Sequence, residues 1–343
     1  MDENKIVKYE GGLIKRIDNQ IGVTKKLLAL AEPLLIPYRK GDKWGFCTAD
    51  KKVVIDCIYK YTYPFSEGLA KVYESEYNRG FINKKGEEVI PIEFSLGYVG
   101  NFKEGMAKIY FSKINEQGFI DKTGKVAIPC KYGLVHNFSE GLARVKYNDK
   151  YGFIDKTGEE VIAFKYDSAE DFSDGLTKVR LGNKEFFLNK FGEQSFPNSY
   201  DEATSFSEGL AIVKHNNKYA FIGKSGSIIQ YINENFGRAL SSDFLEGMLC
   251  INSSNFHERR YSFINKKGNI MFPFKYDYAE NFSEGLASVE SNNKYGFIDK
   301  TGEEVIDCIY DTVEEFKNGF SKVALNGKSK GYIDKKGIQY WED

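Results

Sequence analysis

The chain has little of what usually marks a chemical centre. Its 343 residues include only three histidines, His136, His215 and His257, too few and too scattered to form a ligand cluster. Of its five cysteines, Cys57, Cys130 and Cys308 fill one recurring slot that elsewhere holds Ile92, Phe164 or Phe274. A slot that accepts Cys, Ile or Phe is an apolar packing position, so no disulfide framework and no metal or cofactor site is expected. No phosphate-binding Gly-rich loop, no Gly-x-Ser-x-Gly elbow and no His-Glu-x-x-His helix occurs, and no catalytic residue is assigned. Charge of one sign is lacking too. Lys plus Arg is 48 and Asp plus Glu is 49, a net −1, which gives no chain-wide attraction for nucleic acid or an anionic membrane surface. No run approaches the roughly 20 apolar residues that span a bilayer. The opening residues, from Met1 to Gln20, alternate charged with single apolar side chains and lack the apolar core of a secretory signal, so a cytoplasmic location is expected.

What the chain does have is repetition. Tyr151 to Ile162 reads YGFIDKTGEEVI, and Tyr295 to Ile306 repeats it letter for letter. Diluted copies begin at Trp44, Arg79, Gln117, Glu185, Tyr219, Tyr261 and Lys330, giving nine units of about 34 residues over 34–343. A second block, FSEGLA, separates successive copies: it starts at Phe65, Phe138, Phe206 and Phe282, with variants at Phe102, Phe172, Phe244 and Phe316. Between Ala220 and Ser262 the spacing stretches, which places longer loops at Tyr231 to Asp243 and Asn252 to Arg260.

Turn chemistry converts the blocks into strands. Phe153 to Asp155 leads through Lys156-Thr157-Gly158 into Val161-Ile162, a hairpin whose Gly suits the left-handed position of a G1 bulge. Asn148-Asp149, Asn216-Asn217, Asn292-Asn293, Gly41-Asp42, Gly182-Asn183 and Asn326-Gly327 are two-residue turns of the type I′ kind. Each unit is therefore a three-stranded meander followed by an irregular connection. Side chains alternate in the middle strand, so Tyr151 and Phe153 share one face while Gly152 and Ile154 share the other, and both faces need covering. With 27 Phe and 23 Tyr to bury, stacking of units is a condition of folding.

The expected fold is an all-β tandem repeat, nine meanders stacked as an open solenoid or superhelix. Every unit runs in the same order with no split unit at the ends; the alternative is a closed, propeller-like ring. Residues 1–33 lie outside the repeat, and Ile14, Ile17, Ile21, Leu28 and Ala31 recur at helical steps, which predicts a capping helix over 13–31 that ends before Pro33.

Lys43-Trp44-Gly45-Phe46 carries the signature of a known family: residues 34 to 343 resemble the bacterial WG, or KWG, repeat, with Tyr replacing Trp in most later copies. The resemblance implies a repeat protein presumed to mediate binding and transfers no functional residue. Unit five departs from the pattern, with Phe186 where Gly stands and Phe196-Pro197-Asn198 for the usual Ile-Pro.

Three candidate surfaces follow. The recurrent acids Glu67, Glu104, Glu140, Asp174, Glu208, Glu246 and Glu284 could form a ladder for cations or a basic partner; the favoured reading is a solvated turn, and Asn318 in the last copy agrees. Trp44, Tyr151, Tyr219, Tyr261 and Tyr295 could be a stacking track for sugars, but Arg79, Gln117, Glu185 and Lys330 in the same column favour ordinary packing. The long loops are the largest departure from the repeat, which makes Phe256, His257, Glu258, Arg259 and Arg260 the candidate partner-binding residues. The function expected is a non-enzymatic scaffold that binds another protein, with a carbohydrate or cell-envelope module as the alternative.

Overall fold

A computed structural model describes residues 34–343 apart from 77, 92–97, 112–114, 216, 233–242 and 254–258. The segment predicted to form a capping helix lies outside the described residues, and among those described there is no helix. Among the described residues, strands form nine small, mainly antiparallel sheets numbered in chain order, of which sheet 2 spans Tyr61 to Ile90, sheet 3 Tyr98 to Tyr132, sheet 5 Ser168 to Leu188, sheet 6 Leu210 to Tyr231, sheet 7 Met248 to Asn265 and sheet 9 Thr312 to Asp334. Sheet 1 holds Ile36–Lys40, Lys43–Cys47 and Val53–Tyr59; sheet 4, the most regular, holds Leu134–Ser139, Leu142–Tyr147, Lys150–Ile154 and Glu160–Tyr166. Sheet 8 repeats that layout from Tyr278–Ser283 to Glu304–Tyr310.

The turns are those the residues call for. Gly158 N–H donates to Asp155 O at 3.1 Å with Gly158 at φ 88°, and the Asp155 carboxylate accepts from Thr157 N–H at 2.8 Å and Glu159 N–H at 3.1 Å, closing the hairpin. Asn148 and Asn292 and the residues after them all take positive φ, as a type I′ turn requires. Gly41-Asp42 and Gly182-Asn183, expected as type I′, are corrected to type II′: only the glycine takes positive φ there.

Each repeat is more regular than a three-stranded meander with a loose connection. The residues before FSEG pair with the first meander strand, so a complete sheet has four strands. The glycine of the first block explains where the last strand runs to seven residues. In sheets 1, 3, 4 and 8 an added Cβ on Gly45, Gly118, Gly152 or Gly296 would stand 2.3 to 2.5 Å from the carbonyl oxygen of Ile55, Ile128, Ile162 or Ile306. Only glycine lets the bulged seven-residue last strand close over the middle one. Where Phe186 and Ser262 replace it, the last strand shrinks to isolated bridges, Glu185 with Tyr200 and Tyr261 with Tyr276. Phe196 of unit five is nevertheless buried, packed on Phe187 and Phe206.

The sheets stack face to face. Within one middle strand Phe153 packs with sheet 5 while Ile154 packs with sheet 3, so alternation feeds two successive apolar layers. The phenylalanine of each first block meets the phenylalanine of the next FSEG block: Phe119 with Phe138, Phe153 with Phe172 and Phe297 with Phe316, ring centroids 4.7 to 4.9 Å apart. Each such large apolar side chain contributes roughly 2 kcal/mol when buried.

Nine layers of this kind join nine sheets, which requires the last sheet to meet the first. Tyr332 and Tyr340 pack against Ile36, Tyr38 and Trp44, and Trp341–Glu342 adds to sheet 1 as a parallel strand beside Arg39 and Lys40. Gly41 N–H donates to Glu342 O at 3.0 Å and Tyr38 Oη to Glu342 Oε1 at 2.6 Å. The expected open solenoid is therefore corrected to a closed ring: the chain does split a sheet between its ends, but through two residues too short to be read as a strand.

Two outcomes are expected. Removing Trp341 to Asp343 lowers the melting temperature and raises the radius of gyration measured by X-ray scattering; an unchanged profile refutes the closure. Gly158→Val and Gly302→Val both carry the positive-φ strain of about 1 to 3 kcal/mol. The second should cost more in urea unfolding, because an added Cβ meets the Phe272 ring at 2.9 Å but Ile128 at 3.4 Å.

Candidate functional site

The recurrent acids stand in turns before a positive-φ glycine, as expected, and Glu67, Glu208 and Glu284 are exposed, but each also makes a contact that the sequence did not show. Each sits itself in the left-handed region, φ 52 to 57°, one residue before a left-handed glycine. From there its carboxylate reaches the next sheet. Glu67 accepts from Gly105 N–H at 2.8 Å, Glu104 from Gly141 at 2.9 Å, Glu208 from Gly247 at 2.8 Å and Glu284 from Gly319 at 2.7 Å; Glu140, Asp174 and Glu246 do the same with Gly175, Gly209 and Gly285. The hairpin lysine of that next sheet closes the clasp: Lys122 lies 3.2 Å from Glu67, Lys266 2.9 Å from Glu208 and Lys335 3.2 Å from Glu284. The repeat's acid, glycine and lysine are thus one device that ties sheet to sheet. It stops at the closing joint, where Asn318 stands in the acid's place.

A second column lies four residues after the FSEG acid, in the strand that follows it. It holds Lys71, Lys108, Arg144, Lys178 and Lys322, but Ile212, Cys250 and Ser288 in sheets 6 to 8. Three of these cations, Lys71, Arg144 and Lys178, bridge to the edge of the next sheet. Lys71 Nζ donates to Val99 O at 3.0 Å and Lys178 Nζ to Ala203 O at 2.8 Å. Arg144 donates from Nε to Asp171 Oδ1 at 3.0 Å, from Nη1 to Ala169 O, and stands 3.3 Å from Glu170. Aromatic rings back them, Tyr63 with its centroid 4.3 Å from Lys71 Nζ and Tyr61 at 4.5 Å from Lys322 Nζ. Burial, with Arg79 nearby, lowers the Lys71 ammonium to about 8. Charges of sheets that are not neighbours meet here: burial and the Glu170 carboxylate of sheet 5 raise Asp243, beside sheet 7, and Lys322 of sheet 9 bonds Tyr61 of sheet 2. These edges therefore converge on the middle of the ring.

Where the column loses its cations a cleft of about 780 Å³ opens across sheets 7, 8 and 9. Its walls include Cys250, Asn252, Tyr261, Glu280, Glu314 and Glu315. Cys250 Sγ points to Ala279 O at 3.4 Å, the carbonyl that corresponds to those Lys71, Arg144 and Lys178 bind. Burial, aided by the Glu280 charge, pushes its thiol up to about 12, so it is no nucleophile at neutral pH. Asn252 is 5% exposed, and among the described residues its side chain has no hydrogen-bond partner. Ser288 donates to Glu280 at 3.0 Å, and Glu315 pairs with Lys317.

Of the candidate loop residues, Phe256, His257 and Glu258 lie outside the described residues. Arg259 lines the cleft, and Arg260 forms an ion pair with Asp277. The aromatic column is packing: Trp44 is buried, Tyr151 lies 5.9 Å from Arg144 and Lys146, and Tyr219 bonds Glu202 at 2.7 Å. The recurring cysteine slot is half-buried rather than buried, with Cys57 and Cys308 turned toward the carbonyls of Tyr38 and Val289. The sequence signal for the cleft was a gap in a column, Cys250 and Ser288 where cations recur, which has meaning only once the column is seen to bridge sheets.

Fold and site together define a closed tandem-repeat β-protein, with a shared frame and one place where the frame is relaxed. The WG containing repeat matches residues 44–75, 80–110, 118–151, 151–184, 186–219, 261–295 and 295–328, more than half of the chain. The chain belongs to that family. Residues between 219 and 261, which carry the long loops and Cys250, fall between matched segments. No curated protein sequence matches the chain. Among solved structures it is similar to Hsv2 of Kluyveromyces lactis, at 8% identity over 78% of this chain and 93% of that one, TM-score 0.41. It is also similar to BamB from Moraxella catarrhalis, at 9% identity over 90% of each chain, TM-score 0.40.

The clasp makes stability depend on acid pH. Partial burial pushes Glu67, Glu208 and Glu284 up, but the glycine N–H and lysine that each one holds outweigh it and leave them below the usual carboxylate value of 4.5. A depressed carboxylate contributes its full stability above the unfolded value and loses it as pH falls through the folded one. The melting temperature should thus decline from about pH 4.5 downward, and the triple variant Glu67→Gln, Glu208→Gln, Glu284→Gln should show a shallower decline. An identical acid slope in that variant removes the role given to the clasp.

Proposed function

We propose that the chain is a non-enzymatic repeat scaffold, cytoplasmic, that holds a partner protein in the cleft across sheets 7 to 9. One observation carries this reading. The residues that recur build the frame and are consumed in it, acids in clasps, cations in bridges and aromatics in layers, whereas three departures from the repeat, at Cys250, at Ser288 and in the lengthened loop before Tyr261, meet at one cleft. Cys250 and Ser288 remove two bridging side chains, the lengthened loop brings Arg259 to the rim, and Asn252 is left with unmet hydrogen-bonding capacity. Catalysis finds no support in the same place, since the buried Cys250 thiol is held protonated. A sugar track finds none either, because cations and carboxylates already engage the tyrosines that would form it.

Affinity capture from the native cell tests this, using the full chain and the variant Glu280→Gln, Glu314→Gln as bait. The expected result is a protein retained by the first and reduced at least tenfold on the second, with no signal from either on a glycan array. Equal retention, or binding to glycans, refutes the assignment of the cleft.

A further inference from the structure

The cleft has a filled counterpart elsewhere in the ring. In sheet 4 the side chain opposite Phe153 is Arg144, whose guanidinium crosses to sheet 5 and is held by Asp171, Glu170 and the Ala169 carbonyl. In sheet 8 the side chain opposite Phe297 is Ser288. The strand and hairpin that follow are the same twelve residues in both sheets, and the next sheet again offers an acidic pair at the same two positions, Glu314 and Glu315 before Phe316 for Glu170 and Asp171 before Phe172. The acceptors of a guanidinium are present, and Ser288, at the position of Arg144, supplies none; Arg259, from the connection between the two strands of sheet 7, also lines the cleft. Those two carboxylates line the cleft. A second, independent feature points into the same space: Asn252, 95% buried and without a side-chain partner among the described residues, lies on the strand face it shares with Cys250. Its amide oxygen is suited to accept from a donor that enters the cleft.

From this repeat of one arrangement with its central group missing, we propose that the cleft receives an arginine side chain of the partner protein, seated between Glu314 and Glu315 as Arg144 is seated between Glu170 and Asp171. The proposal rests on the scaffold reading above and names its ligand chemistry. Arginine rather than lysine follows from the planar, forked donors that two adjacent carboxylates can engage at once, as they do in sheet 5. Glu315 holds Lys317, and this pair opens when the guanidinium enters. Glu280, now bonded to Ser288, adds a third carboxylate on the near side, where sheet 4 has His136 beside Arg144.

The test uses the full chain and an acetylated, amidated Gly-Gly-Arg-Gly-Gly peptide, with its citrulline and lysine counterparts, in calorimetric or NMR titrations. The arginine peptide should bind at least tenfold more tightly than either counterpart, and Glu314→Gln, Glu315→Gln should weaken it at least tenfold. Ser288→Arg supplies the missing group from within. It should abolish peptide binding, and its melting temperature should equal or exceed that of the parent, because Glu280, Glu314 and Glu315 surround the new guanidinium. Equal affinity for arginine and citrulline peptides overturns the proposal, as does equal affinity for lysine, absence of any binding, or binding that survives the double Gln variant. The double variant keeps the test decisive even where Ser288→Arg fails to fold. Capture of a partner that Ser288→Arg retains undiminished removes the arginine and leaves the scaffold; a bound arginine peptide with no captured protein removes the scaffold reading and leaves the subsite.

Discussion

A sheet with apolar side chains on both faces cannot stand alone in water, and everything else in this protein follows from that. Phe153 and Ile154 are adjacent in one strand, point to opposite sides and are both fully buried. Each sheet therefore needs a neighbour on either side, and a linear stack always leaves two faces bare. Closing the stack into a ring removes both bare faces at once. Here the last sheet meets the first through Tyr332, Tyr340 and Trp44, where the ordinary phenylalanine pair between successive sheets is replaced by larger aromatics.

Apolar stacking alone does not fix how far one sheet turns against the next, since the hydrophobic effect is non-directional. The acid–glycine–lysine clasp supplies the direction. A carboxylate held in a left-handed turn must reach a particular amide of the following sheet, and the bridging cations of the converging edges make a second tie on the same joint. The clasp is absent where Asn318 stands, and at that joint a strand exchange takes over. Two ties of different chemistry thus serve the same purpose at different joints.

The cleft is the consequence of relaxing one of those ties. Replacing a long cation by Cys250 or Ser288 removes a bridge and leaves the backbone and carboxylate acceptors of the next sheet in place along the cleft wall. Loop extension next to it is tolerated because loop closure entropy grows slowly with length. A repeat frame can carry such a local departure because neighbouring joints are held independently.

The sequence by itself determined the repeat, where its turns fall and the two-sided burial, because these rest on local rules: glycine and asparagine at positive φ, and side chains that alternate with a period of two. It also identified the acids, the aromatics and the departures as columns. What it could not determine was which columns face each other, since that depends on how one sheet rotates onto the next. Glu67 is joined to Gly105 and Lys122, and Arg144 to Asp171, by the stacking of units and not by any local pattern. Closure was hidden for the same reason: Trp341–Glu342 is too short to declare itself a strand, and it becomes one only because the ring brings Arg39 and Lys40 alongside. The cleft belongs to tertiary structure alone, because an absent side chain has no meaning until the space it would have filled is enclosed by its neighbours.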